Sequence, residues 1–212
     1  MMAAPRLMLA TRNAGKAAEF RSLLAACPGL EAVELLTPRD WLTPLPDVEE
    51  TGATFEENAR LKAQALASAT GLPALADDSG LCVRALGGAP GVHSARWAGA
   101  GADDAARNEK LLAVMAGVPA LDRSAYFACV VALALPDGTV HVAEGVCEGA
   151  ILDVPRGSGG FGYDPLFLPP DLGRSFAELT PDEKDAHSHR ALAFAVLAPV
   201  LRRTLLPQLH TV

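Results

Sequence analysis

The chain has 212 residues, 50% hydrophobic and 20% charged, enough to bury the core of one sizeable domain. Its formal charge is −7, from 25 acidic against 18 basic residues. That balance excludes a protein that coats nucleic acid, whose affinity comes from basic patches, and no stretch approaches a membrane span.

The four cysteines, Cys27, Cys82, Cys129 and Cys147, are scattered without a C-x-x-C pair, which removes zinc-ribbon and thioredoxin readings. Met1 to Ala10 lacks an apolar run long enough for a signal peptide, so a reducing, cytoplasmic setting is expected.

Leu7–Ala10 reads as a short buried strand, and Ala14–Ala26 as a helix with Phe20, Leu23 and Leu24 on one side. Glu31–Leu36 reads as a second strand and the Pro- and acid-rich Thr37–Gly52 as loop. Thr54 with Glu57 is a capping box that opens a helix to about Thr70, where Gly71 closes it. Strands flank Asp77 and Asp78. A Gly/Ala-rich loop follows over Gly87–Gly101, then a helix near Asp104–Gly117. Ser124–Leu135 and Thr139–Gly149 form a hairpin around Pro136-Asp137-Gly138. Arg156–Asp164 is a glycine-rich loop. Thr180 with Glu183 is a second capping box, from which a long helix runs toward Leu206. Helices alternating with strands, then a hairpin, give a mixed α/β domain with a second lobe. No linker or repeat divides residues 1–212, so a single domain of two lobes is expected.

Asp77-Asp78-Ser79-Gly80 interrupts an otherwise apolar run. Adjacent carboxylates in a strand persist if a cation neutralises them or one keeps a proton. A hard cation such as Mg²⁺ takes one or two carboxylates plus phosphate oxygens. A solvated turn is the other reading, since Asp, Ser and Gly all favour turns.

Thr11-Arg12-Asn13-Ala14-Gly15-Lys16 follows a strand and opens a helix, where free amides and the helix dipole favour an anion. It is not a Walker loop, because Ala10 and Ala17 stand at the required Gly and Ser/Thr positions. A plain capped, basic helix start is the alternative. Gly157, Gly159 and Gly162 fit G-x-G-x-x-G, but no strand-to-helix switch frames them. A glycine loop with Phe161, Tyr163 and Asp164 suits stacking on a base and reading its edge; a turn with its aromatics in the core is equally allowed. Lys184, His189 and Arg190 supply donors for a phosphate or a carbonyl-bearing base. No role is assigned to His93, His141, His187 or His210. Asp47-Val48-Glu49-Glu50 is an acidic loop that offers a second carboxylate if Asp78 holds a metal.

Together these segments resemble the inosine/xanthosine triphosphate pyrophosphatase family, the house-cleaning enzymes of non-standard purine nucleotides. The resemblance rests on Leu9 to Lys16, Glu49 to Gly52 with Thr54-Phe55 and Glu57-Asn58, and Asp77 to Gly80. It continues through Leu86 to Gly91, Ser94 to Arg96, Gly159 to Pro165, Ala177 to Thr180, Glu183-Lys184 and Ser188 to Arg190. The segments stand in family order over nearly the whole chain. Trp97 occupies a position where many members carry Tyr.

The resemblance implies an elongated, mixed-sheet α/β fold of two lobes with the nucleotide in the cleft between them. It implies Mg²⁺-dependent hydrolysis of ITP, dITP and XTP to the monophosphate and pyrophosphate, by a homodimer. On this likeness Asp78 is the catalytic carboxylate and a metal ligand, with Glu49 the second ligand and Glu50 the alternative. Thr11, Arg12, Asn13, Ala14, Gly15 and Lys16 hold phosphates. Ser79, Phe161, Gly162, Tyr163, Asp164, Lys184, His189 and Arg190 line the nucleotide site. The partner expected is a small purine nucleotide, with neither a nucleic-acid polymer nor a membrane. Two rivals are an aspartic protease built on Asp78-Ser79-Gly80 and a nucleotide sensor without turnover.

Overall fold

The computed structural model of the chain describes residues 4–206. His210 lies outside the described residues. Among the described residues six strands form one mixed sheet in the order β2-β1-β3-β4-β5-β6. They are β1 (Arg6–Leu9), β2 (Glu34–Leu36), β3 (Ala74–Val83), β4 (Ser124–Ala134), β5 (Val140–Ile151) and β6 (Phe167–Leu168). β1 pairs in parallel with β2 and β3, and β5 pairs antiparallel with β6. The helices are α1 (Ala14–Ala26), α2 (Phe55–Thr70), α3 (Asp104–Val114), α4 (Pro181–Asp185) and α5 (His189–Leu205). Among the described residues no helix is long and apolar enough to cross a membrane.

The chain divides into two compact units. Among the described residues, one comprises residues 4–78, 130–145 and 191–206, the other residues 79–129 and 146–190. Each has its own core. In the first, Ala59, Ala63, Leu66 and Ala67 of α2 pack with Met8, Leu36, Ala74 and Ala76. Small alanines let the helix approach the sheet closely. In the second, Phe127, Phe167 and Phe176 pack against Leu81, Val83, Leu111 and Tyr163. The Phe127 and Phe167 centroids are 4.6 Å apart.

The caps explain the helix boundaries. Asn13 accepts from the Lys16 amide and starts α1. Thr54 and Glu57 close a reciprocal box at α2, and Gly71 ends it at φ +67°. Three expectations need correction. The long C-terminal helix is two helices: the second capping box opens only the five-residue α4, and α5 begins at His189. The break at residues 186–188 turns Ser188, His189 and Arg190 inward, where all three are buried. The flanking strands around Asp77 and Asp78 are one continuous ten-residue strand, so this is not a turn. The Gly/Ala loop over 87–101 contains a 3₁₀ turn at Gly91–Arg96.

Candidate active site

Two sets of functional side chains stand out, one in each unit. The first is organised by β3. Successive strand residues point to opposite faces, so Asp77 and Asp78 have different partners. Asp77 meets α1: its Oδ2 lies 2.9 Å from Lys16 Nζ, with the carboxylate side chain 0% exposed. Asp78 meets α2, accepting from Asn58 Nδ2 at 3.1 Å and Lys62 Nζ at 3.2 Å. Lys62 also donates to Glu50 Oε1 at 2.7 Å. The like-charge problem posed by the sequence is thus solved by two lysines and by alternation.

Asn58 ties this set to the acidic loop. Its Oδ1 accepts from the Gly52 amide at 2.8 Å while its Nδ2 holds Asp78. Gly52 must be glycine, since a Cβ there would stand 2.6 Å from Glu57 Cβ and 2.7 Å from Asn58 Oδ1. Burial pushes the Asp78 carboxyl above its usual range, with Lys62 and then Lys16 opposing and Glu50 reinforcing the rise. Burial pulls the Lys62 amine down, but Asp78, Asp77 and Glu50 outweigh it, and its pKa is raised. Lys62 is therefore a cation at neutral pH.

The predicted phosphate segment lies at the start of α1, in the same unit. Asn13 spends its side chain on the Lys16 amide, and its own amide bonds Thr11 Oγ1 at 3.1 Å. The Ala14 and Gly15 amides belong to the first turn, which has no intrahelical acceptors. Arg12 is exposed and pairs with Asp47 at 3.0 Å. The loop brings Glu50, rather than Glu49, to Lys62 and Asp78. Glu49 is exposed, and its carboxylate makes no hydrogen bond or ion pair among the described residues. Two carboxylate oxygens from Asp78 and Glu50 are hard donors of the kind Mg²⁺ takes alongside phosphate oxygens.

The second set is built on the glycine loop and the α4–α5 junction. Asp164 Oδ2 accepts from Lys184 Nζ at 2.5 Å and from the Phe161 amide at 2.8 Å. Lys184 Nζ lies 4.6 Å from the Phe161 ring centroid. A Cβ at Gly160, which has φ +70°, would run into the Asp164 carboxylate. Arg190 donates to Ser79 Oγ at 2.9 Å and passes 5.8 Å from the Phe161 centroid. Three residues expected at the nucleotide also make contacts within the protein. Tyr163 is buried in the aromatic core and donates to the Ser94 carbonyl at 3.0 Å. His189 stacks on Phe127, centroids 4.7 Å apart. Asp164 is 2% exposed and anchors Lys184 and Phe161. Phe161, with Lys184 over its ring, is half-buried.

Residues 7–200 match the model of the Ham1 family. The chain belongs to the Ham1 family. It is 56% identical over 200 residues to a dITP/XTP pyrophosphatase of Streptomyces coelicolor, covering 94% of this chain and 98% of that one. A dITP/XTP pyrophosphatase of Geobacillus kaustophilus is 50% identical over 191 residues, 90% of this chain and 91% of its own length. Among solved structures, a HAM1 protein from Coxiella burnetii superposes with TM-score 0.81 at 45% identity, covering 94% of this chain and 99% of that one. A dITP/XTP pyrophosphatase from Mycobacterium abscessus gives TM-score 0.72 at 46% identity, over 92% and 99% of the two chains.

Lys62 escaped the sequence reading, and Asn58 entered it without a role. A signal existed. They are one helical turn apart in the stripe of α2 that otherwise carries Ala59, Ala63 and Leu66. Two polar residues set into an apolar stripe ask for a buried partner.

Proposed function

We propose that this Ham1 protein hydrolyses non-standard purine nucleoside triphosphates, ITP, dITP and XTP, to the monophosphate and pyrophosphate, with Mg²⁺. The observation that carries the reading is the Asp78–Lys62–Glu50 group, tied together by Asn58. A structural ion pair needs one carboxylate per lysine; here two carboxylates converge on one amine. The relatives' activity agrees with it.

Asp78 and Glu50 would hold Mg²⁺, which when bound neutralises charge on the triphosphate and on the leaving pyrophosphate. Glu50 is our choice over Glu49 because it already shares Lys62 with Asp78. Asp78 orients the attacking water and accepts its proton; the Asp77 side chain is wholly buried and serves to aim Lys16. Lys16 and the first-turn amides of α1 bind phosphate oxygens. The Lys62 cation favours the ionised, basic form of Asp78 against the burial that disfavours it.

Phe161 stacks on the purine. Hypoxanthine and xanthine present O6 and N1–H, whereas adenine presents an amino group and a bare N1. Lys184 donates to O6, so adenine sets a donor against a donor. A mispaired buried group costs roughly 1–3 kcal/mol, about tenfold to a hundredfold in rate. Guanine shares O6 and N1–H, so its rejection must act at the 2-amino group.

The four free cysteines support the cytoplasmic setting, and a homodimer is carried over from the family resemblance. Pyrophosphate release from ITP, dITP, XTP, GTP and ATP, with Mg²⁺ and with EDTA, tests the function. Turnover of the first three only, and only with Mg²⁺, is expected; equal turnover of all five would reject the base-reading half.

A further inference from the structure

Gly162 is gripped from both sides by one helix. Its amide donates to Asp104 Oδ2 at 2.7 Å, and its carbonyl accepts from Asn108 Nδ2 at 2.8 Å. Asp104 and Asn108 are one turn apart at the start of α3, so they face the loop together. Both are themselves held. Asp104 pairs with Arg107, which also donates to the Ala95 carbonyl at 2.9 Å. Asn108 is 8% exposed, and its Nδ2 further donates to the Asp104 carbonyl at 2.8 Å.

Two observations set this grip apart from ordinary packing. First, Asn108 Oδ1 is buried and has no hydrogen-bond partner among the described residues. The amide is kept for its donor, which holds the Gly162 and Asp104 carbonyls. Second, a pocket of about 420 Å³ opens between α3 and the loop, lined by Asp104, Asn108, Leu112, Gly160 and Phe161 among others. The two hydrogen bonds hold the loop against the helix beside this pocket.

What they fix is the peptide next to Phe161. Gly162 has φ +64°, a conformation open to glycine and costly to other residues, so the backbone direction at this point is set from outside. On its far side Tyr163 is fixed by Ser94. We propose that Asp104 and Asn108 are positioning residues that set the plane of the Phe161 ring, and through it the base selectivity, without touching substrate. The inference rests on Phe161 being the stacking surface.

The test is calorimetric binding of IMP and of pyrophosphate, each with Mg²⁺, to full-length Asn108→Ala, Asn108→Asp, Asp104→Ala and Phe161→Ala, together with ITP kinetics. The clamp variants should weaken IMP about tenfold, the loss of roughly one hydrogen bond, while pyrophosphate affinity stays within about twofold. KM for ITP should rise with kcat retained. Asn108→Asp keeps the side-chain volume and reverses the donor, so the same loss there excludes a cavity effect. Asp104 is half-buried, and its variant carries the test if Asn108→Ala fails to fold. Unchanged IMP affinity in Asp104→Ala and Asn108→Asp, or parallel loss of IMP and pyrophosphate, overturns the proposal. Unchanged IMP affinity in Phe161→Ala removes the stacking reading and the clamp with it. Loss in that variant alone overturns only the clamp.

Discussion

Replacing Lys62 by methionine removes one charge and little volume. Its Nζ lies 2.7 Å from Glu50 and 3.2 Å from Asp78, with the lysine side chain 12% and the Asp78 side chain 9% exposed. Without the amine, two carboxylates face each other in a mostly dry setting. Removing one partner of a buried ion pair costs about 3–5 kcal/mol. Glu50 is 32% exposed and can regain water, which argues for the lower end, about 3 kcal/mol. For a chain of this size that is a fall in Tm of roughly 6–12 °C. Asp78 also loses the largest influence holding its pKa down, so it keeps its proton to a higher pH. Melts of Lys62→Met, Asp78→Asn and the double variant at pH 7, with and without Mg²⁺, read this directly. The double variant should recover most of the loss, because the stranded carboxylate is gone. Mg²⁺ should stabilise Lys62→Met more than the parent, since a bound cation replaces the missing one. A Tm change under about 2 °C, far below the expected fall, with no extra response to Mg²⁺, would refute the reasoning.

Asp78→Asn should abolish pyrophosphate release while leaving the fold intact, as seen by circular dichroism. Because the folded-state pKa of Asp78 is raised by burial, ionising it costs the native state. The parent should therefore gain on metal-free Asp78→Asn as pH falls through the raised range toward 3.8, the ordinary aspartate value. Glu50→Gln should raise the Mg²⁺ concentration needed for half-maximal rate by about tenfold or more, with Glu49→Gln near the parent; the reverse order would move the ligand to Glu49. Lys184→Met should lower the ITP-over-ATP ratio of kcat/KM by roughly tenfold to a hundredfold, measured by pyrophosphate release.

Much of this was legible in the chain. The Thr54–Glu57 box fixed the start of α2, and Gly71 its end, because caps are local chemistry. The ordered motifs singled out Asp78, Lys16, Lys184 and Arg190 as candidates through their order along the chain, no one piece being specific alone. What the chain concealed is tertiary. Whether Glu49 or Glu50 faces Asp78 depends on how the 47–52 loop is pinned through Gly52 and Asn58. Tyr163 and Phe161 look equivalent in sequence, yet one bonds Ser94 in the core and the other is half-buried. The second capping box promised a long helix, but burying Ser188, His189 and Arg190 required a new start at His189. Gly162 carries no side chain, so its tie to α3 left no trace.

The decisive measurement is a crystal structure of the protein with a non-hydrolysable imido analogue of ITP and Mg²⁺. Density for an ion touching the Asp78 carboxylate and a phosphate oxygen, with hypoxanthine against Phe161, is the result expected. A triphosphate bound away from Asp78, with no cation joining them, would contradict the proposed chemistry.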